Sequence, residues 1–415
     1  MRAMIARFFW LCLLAWQLAA QAVEGRVLDA ASRQPVAGAI VTAAGRATTT
    51  DAEGRYNLAV AASQVHARGI GFGRVSANVE ARMAQAPDLL LPALRPKALY
   101  LSAYGIGDKG LREAALRLLA ETELNALVID MKGDSGLVPY PSKVAQATLC
   151  GARSVTTVHD MAALVGSLKQ SGAYLIARIV AFKDNLLAEA HPEWSVRRED
   201  GALFRDNEHM AWIDPSQREA WTYLLDLAEE AAAIGFDEIQ FDYVRFPDSR
   251  EVRFAQPNNA ANRVAAITGF LLAARARLLP YNVFLAADVF GYTAWNSDDT
   301  QIGQDLPAVA AAVDYVSPML YPSGFQFGIP DYPNPVEHPA QIVQRTLLRA
   351  TARTGGNPLR LRPWLQAFRD YAFDRRPFDA DEIRAQIDGA ESAGSNGWML
   401  WNPRNDYSAV GMRAR

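Results

Sequence analysis

The stretch DPSQREAWTYLLDLAEEAAAIGFDEIQFDYVRFP, residues 214–247, reads as one helix running into one strand. Asp214 followed by Pro215 is a helix-start signal, and Gly235 supplies the stop. Beyond the glycine, alternation puts Gln240, Asp242 and Val244 on one face and Phe241, Tyr243 and Arg245 on the other. The same helix-then-strand texture recurs outward in both directions. Short apolar runs occur at ALYLSAY (98–104), ALVIDMK (126–132), YLIARIVAF (174–182), EIQFDYVRF (238–246), VFLAADVFGY (283–292), YVSPMLYP (315–322), LRPWLQAF (361–368) and WMLWNP (398–403). Eight runs, separated by Ala/Leu/Glu/Arg-rich helical segments, predict an α/β fold of the (β/α)8 TIM-barrel type over residues 96–415. An open doubly wound sheet commonly carries a glycine-rich phosphate loop after its first strand, and SAYGIGDKG has only scattered glycines.

Residues 23–95 have a different texture. VEGRV, AGAIVTA and GRYNLAV alternate, and SRQP and TDAEG between them are turn-rich, which predicts a small all-β sandwich in front of the barrel. Ahead of it, Arg2 and Arg7 precede a short apolar run ending in Ala20-Gln21-Ala22, the pattern of a signal peptide cleaved after residue 22. The expectation is a protein exported to the periplasm or secreted, with no membrane span after cleavage. Cys150 is then the one remaining cysteine, so no internal disulfide is expected. With 42 Lys+Arg against 45 Asp+Glu, scattered along the chain, no basic footprint marks a nucleic-acid partner.

In a barrel of this kind chemistry gathers at the C-terminal ends of the strands, so polar residues ending apolar strands are informative. Asp130, Asp242 and Asp288 end the second, fourth and fifth strands. Carboxylates drawn together from distant segments are what glycosidic bond cleavage needs, one to protonate the leaving oxygen and one to attack or activate water. Gln240 and Arg245 flank Asp242, with Gln240 expected in the barrel mouth, and Lys132 and Arg245 are expected as charge partners of Asp130. Asp237 and Glu238 precede the strand and are expected to be solvated. Aromatic and amide side chains near strand ends, Tyr321, Trp364, Gln366, Trp398 and Asn402, suit sugar rings and hydroxyls. The loop after the third strand, HPEWSVRREDGALFRDNEHMAWIDP, either walls a groove or packs over the rim. No His or Cys spacing supports a metal site, and no cofactor is expected.

Two resemblances bear on this reading. Gly25, Val27, Asp29, Pro35, Val36, Gly38, Ala39, Val41, Thr50, Asp51, Gly54 and Tyr56 follow the pattern of the carboxypeptidase regulatory-like domain, which implies a spacer or adhesion module; Asp51 then serves the TDAEG turn. ALVIDMKGDSG (126–136), FDEIQFDYVRFP (236–247), SPMLYPS (317–323) and WMLWN (398–402) resemble a bacterial family named "putative glycosyl hydrolase domain", among the glycosidase TIM barrels. That resemblance implies a carbohydrate substrate. Similarity to the more distant alpha-amylase-like barrels implies Asp242 as nucleophile, although they carry a glutamate acid where this chain has Asp288 and an aspartate where it has Gln366.

The expected function is therefore glycosidic bond hydrolysis on an oligo- or polysaccharide. Asp242 is nucleophile or base, Asp288 acid and Asp130 a supporting carboxylate. The alternatives are a non-catalytic glycan-binding barrel and a hydrolase using the three aspartates on a divalent cation.

Overall fold

A computed structural model describes residues 22–79, 86–249 and 251–415. The expected signal peptide lies outside the described residues, apart from Ala22. The chain divides into two units, Met1–Leu94 and Arg95–Arg415.

Among the described residues the first unit contains seven strands. β1 (Val23–Asp29) pairs with β4 (Arg55–Leu58) and β7 (Leu89–Leu91), while β2 (Ile40–Ala43), β3 (Arg46–Thr49), β5 (Gln64–Arg68) and β6 (Arg74–Asn78) form a second sheet in the order β3-β2-β5-β6. Val27, Val41, Val65, Ala67 and Leu91 from both sheets are sealed in one apolar core. The TDAEG segment is a turn: Asp51 Oδ1 accepts from the backbone N–H groups of Glu53 and Arg55, and Gly54 takes φ +72°. Asp51 is thereby occupied with backbone.

The second unit is a closed barrel of eight strands, all parallel. They are β8 (Lys97–Leu101), β9 (Ala126–Lys132), β10 (Tyr174–Val180), β12 (Glu238–Asp242), β14 (Phe284–Phe290), β15 (Tyr315–Met319), β16 (Trp364–Gln366) and β17 (Trp398–Trp401), with β17 closing on β8. Two short strands outside the barrel, β11 (Arg197–Arg198) and β13 (Val252–Arg253), pair with each other. Each predicted apolar run holds one barrel strand. The seventh is reduced to three residues; Pro318 removes a donor from the β15–β16 ladder, leaving the single ladder pair Met319 with Trp364. Helix Arg218–Ile234 ends where Gly235 turns to φ +120°. One described stretch, Ala260–Tyr281, is long and apolar enough to cross a membrane, and its Ile267, Phe270 and Leu271 are buried in the barrel's apolar layer.

The lower barrel corrects one expectation. Glu238 is sealed, and both its oxygens accept from Arg362 Nη1 at 2.7 Å while Tyr174 Oη donates at 2.8 Å. Asp237 pairs with Lys169 and accepts from the Leu175 backbone N–H. A parallel barrel filled with side chains has no solvated bottom for Glu238, so the charge is kept by pairing.

Candidate active site

Alternation decides which side chains meet. Leu127, Ile129 and Met131 of β9 point out into the apolar layer beneath the helices, so Asp130 faces inward. By the same parity Arg178 on β10, Gln240 and Asp242 on β12 and Asp288 on β14 face the interior. Arg178 organises them. Its Nη1 donates to Asp130 Oδ1 at 2.7 Å, and its Nη2 and Nε donate to Asp242 Oδ2 at 2.6 and 3.0 Å. Tyr100 Oη donates to the other Asp130 oxygen at 2.7 Å. The second oxygen of Asp242 accepts from the Tyr243 backbone N–H at 2.6 Å. That bond exists because the strand stops at Asp242: Tyr243 takes φ +47°, a left-handed conformation that costs a non-glycine residue about 1–3 kcal/mol and folds the chain back over its own carboxylate.

The guanidinium also lies over two rings, Tyr100 at 5.4 Å and Trp401 at 5.0 Å, which themselves stack with centroids 4.0 Å apart. Burial works against its charge, but Asp130 and Asp242 outweigh burial and hold Arg178 well above its usual value. Burial pushes the Asp130 carboxyl up, and Arg178 and Tyr100 offset this only in part.

Two adjoining clefts open above this floor. The first, of about 380 Å³, is lined by Tyr104, Asp130, Asp134, Arg178 and Trp401 among others, and the second, of about 230 Å³, by Arg245, Phe290, Tyr292, Phe325 and Tyr371. Asp242, Tyr243, Met319 and Tyr321 line both. Asp242 therefore stands at the junction of a continuous groove. The ring of Tyr104 is 58% exposed at one side of it and that of Tyr371 47% exposed at the other.

Among the candidates read from the sequence, Asp130, Asp242, Arg245, Tyr321 and Trp364 line this groove, and six do not. Asp288 is fully buried: Trp364 Nε1 donates to its Oδ1 at 2.8 Å, its Oδ2 has no hydrogen-bond partner, and it lines neither cleft. Burial, and then the charge of Asp242, push its carboxyl well above the usual range, and Asp288 lies under the floor, out of reach of a substrate in either cleft. Lys132 is sealed against Asp184 at 2.8 Å and the Val180 carbonyl at 2.6 Å, and the partner of Asp130 is Arg178 instead. Gln240 lies one layer lower, donating to Ser317 Oγ and Met399 Sδ. Gln366 is tied to Ser323 and the Phe368 carbonyl. Asn402 ties the closing loop through the Ala367 and Asp406 carbonyls. Trp398 faces outward into the apolar layer, because parity within WMLW gives the interior to Met399 and Trp401. Arg245 does not reach Asp130; its cation lies over Trp212 and Tyr243. The insertion after β10 packs over the rim: Trp212 is 2% exposed, and no residue of 191–215 lines either cleft.

The sequence reading missed Arg178 and Tyr100. Both carry a signal, a polar group at an inward position of an apolar strand, but each stands inside its strand and not at the strand's end. The three-aspartate cation site is also revised. The Arg178 guanidinium fills the space between Asp130 and Asp242, and among the described residues no three His, Cys, Asp or Glu side chains gather at metal-binding spacing.

The comparisons with known proteins fit this architecture. Residues 98–407 match the family described as "Putative glycosyl hydrolase domain", and residues 22–92 match the carboxypeptidase regulatory-like domain. The chain belongs to that glycosyl hydrolase family. Among solved structures, the PgaB (BpsB) glycoside hydrolase domain from Bordetella bronchiseptica superposes with a TM-score of 0.54 at 16% identity, over 75% of this chain and 95% of that one, a likeness of fold. A hypothetical protein from Ruminiclostridium thermocellum is 35% identical over 46% of this chain and 97% of its own, with a TM-score of 0.42. The Bacillus cereus spore cortex-lytic enzyme SleL matches at 15% identity over 80% of this chain and 76% of that one, with a TM-score of 0.44. No curated protein matches the chain. Within the glycosyl hydrolase family frame, the Arg178-anchored aspartate pair occupies the strand-end position at which barrel enzymes carry out chemistry.

A buried carboxyl raised in this way has a measurable consequence. Asp288 ionises in the unfolded chain near pH 4 and its folded value is raised, so its contribution to stability is present below that pH and is lost as pH rises toward the folded value. Asp288→Asn keeps an oxygen for Trp364 and removes this cost. The variant is expected to gain on the wild type in thermal melts between pH 5 and pH 8, by up to about 1.4 kcal/mol per pH unit over that window. A stability difference that does not change with pH would show Asp288 to be ionised in the fold.

Proposed function

We propose that the groove hydrolyses internal glycosidic bonds of a polysaccharide, with Asp242 as the ionised nucleophile or base and Asp130 as the proton-bearing acid. The single observation behind this reading is that Asp242 lines both clefts. A glycan laid across the groove has sugars on either side of it, with exposed rings at each end for the flat faces of pyranoses. Two carboxyl groups with different proton affinities are what the reaction requires. Arg178 donates twice to one oxygen of Asp242, while burial raises Asp130. The acid role expected for Asp288 passes to Asp130, the carboxyl that can touch a leaving oxygen. The export expected from residues 1–22 puts such a polymer in the cell envelope or outside the cell.

The test is release of reducing ends from a panel of oligosaccharides of defined length. Internal cutting gives products of intermediate size, and the absence of new reducing ends across neutral, acidic and amino-sugar polymers removes the hydrolase reading in favour of glycan binding alone. Tyr104→Ala removes one exposed platform without touching the floor. It is expected to raise KM roughly three- to tenfold with kcat and melting temperature little changed.

A further inference from the structure

Arg245 differs from the other interior arginines. Arg178 is bonded to two carboxylates and Arg362 to both oxygens of Glu238. Arg245 donates from Nη1 to its neighbour's carbonyl, Phe246 O, at 3.0 Å, and its guanidinium lies 4.7 Å from the Trp212 ring centre and 5.2 Å from that of Tyr243. Among the described residues no carboxylate is within ion-pair distance of it. Three acids act on it through their charge: Asp248 is exposed and outside ion-pair distance, and the other two are already committed. Asp242 is held by Arg178 and the Tyr243 N–H, and Asp206 accepts from Trp212 Nε1 and from the N–H groups of Glu208 and Met210. This cation lines the second cleft, whose other walls are mainly aromatic.

We propose that the second cleft is a subsite for a carboxylate-bearing sugar, recognised by Arg245. A planar guanidinium lying against two rings presents its remaining N–H groups as a fork, which suits the two oxygens of a carboxylate. The neighbouring Asp242 charge favours a singly charged carboxylate over a doubly charged phosphate ester. The first cleft carries Asp130, Asp134 and Asp242 against Arg178 alone, so an acidic sugar is discriminated against on that side and accepted on the other. Burial pulls the Arg245 guanidinium below its usual value, whereas Arg178 and Arg362, which have their anions, lie above theirs.

This inference rests on the reading of the groove as a glycan site, but its test is binding, not turnover. Isothermal titration would compare alginate oligosaccharides, the same oligosaccharides after reduction of their carboxyl groups, and peptidoglycan glycan strands, whose carboxylate is a lactyl ether. Wild type is expected to bind at least one carboxylated probe about ten- to a hundredfold more tightly than the carboxyl-reduced alginate. Whichever probe is preferred tells whether the acid sits at C6 or on a lactyl arm. Arg245→Gln is expected to bring that ratio close to one, and Arg245→Lys, which keeps the charge but not the fork, to retain part of it; melting curves check that both fold. Equal affinity for charged and reduced probes, binding of none of them, or a preference surviving in Arg245→Gln overturns the subsite. Preference without release of reducing ends leaves the subsite standing and removes hydrolysis, and release without preference does the reverse.

Discussion

Replacing Arg178 by methionine is expected to destabilise the barrel by about 3–5 kcal/mol, the cost of breaking a buried ion pair by removing one partner. Arg178 is 3% exposed and is the cation bonded to both Asp130 and Asp242. Without it, two inward-facing carboxylates share one low-dielectric space. Asp130, already raised by burial, then loses the cation that lowers it and rises further, so the loss is largest at neutral and alkaline pH and recedes as pH falls and it takes up a proton. Urea titrations of wild type and variant at pH 5 and pH 8 check this. A loss of equal size at both values would mean that Arg178 contributes packing against Tyr100 and Trp401 and not charge. Activity is expected to vanish along with the ion pairs, because Asp242 then lacks the Arg178 donors that hold it in place.

Asp242→Asn is expected to lower kcat on a cleavable glycan by about 10²–10⁴-fold, the range associated with loss of positioned acid–base catalysis. The amide oxygen can still accept from Arg178, but its NH2 then faces the Tyr243 N–H, so a stability loss of about 1–3 kcal/mol accompanies it. The pH profile separates the two carboxyl roles. In the wild type, activity should fall as pH rises past the raised Asp130 value, since a deprotonated acid cannot assist the leaving group. Asp130→Asn should abolish that limb. Full turnover by a folded Asp242→Asn protein would take this residue out of the reaction.

Legibility differed between fold and site. The eight apolar runs predicted the barrel because burial on both faces of a parallel strand leaves a nearly continuous hydrophobic signature. Even Trp364–Gln366, only three residues long, was visible as LRPWLQAF. Within the site, Asp130 and Asp242 were visible as charges interrupting such runs. Asp288 carried the same signal and came out differently. The cause is the indole of Trp364, which bonds Asp288 from a strand 76 residues away, while Arg178 spends its direct bonds on Asp130 and Asp242. Lys132 and Arg178 form the converse case: each is a cation in an apolar strand, yet one is taken up by Asp184 and the other organises the site.

Sequence alone therefore determined the alternation, and with it which faces turn inward, where each strand lies and that acidic groups collect at one rim. Only the tertiary structure decided which of those groups share a guanidinium, which are sealed beneath the floor and which line an open groove. Periodicity is set by each residue's own backbone geometry. Proton affinity and access depend on distances between strands far apart in sequence, and these exist only once the barrel has closed.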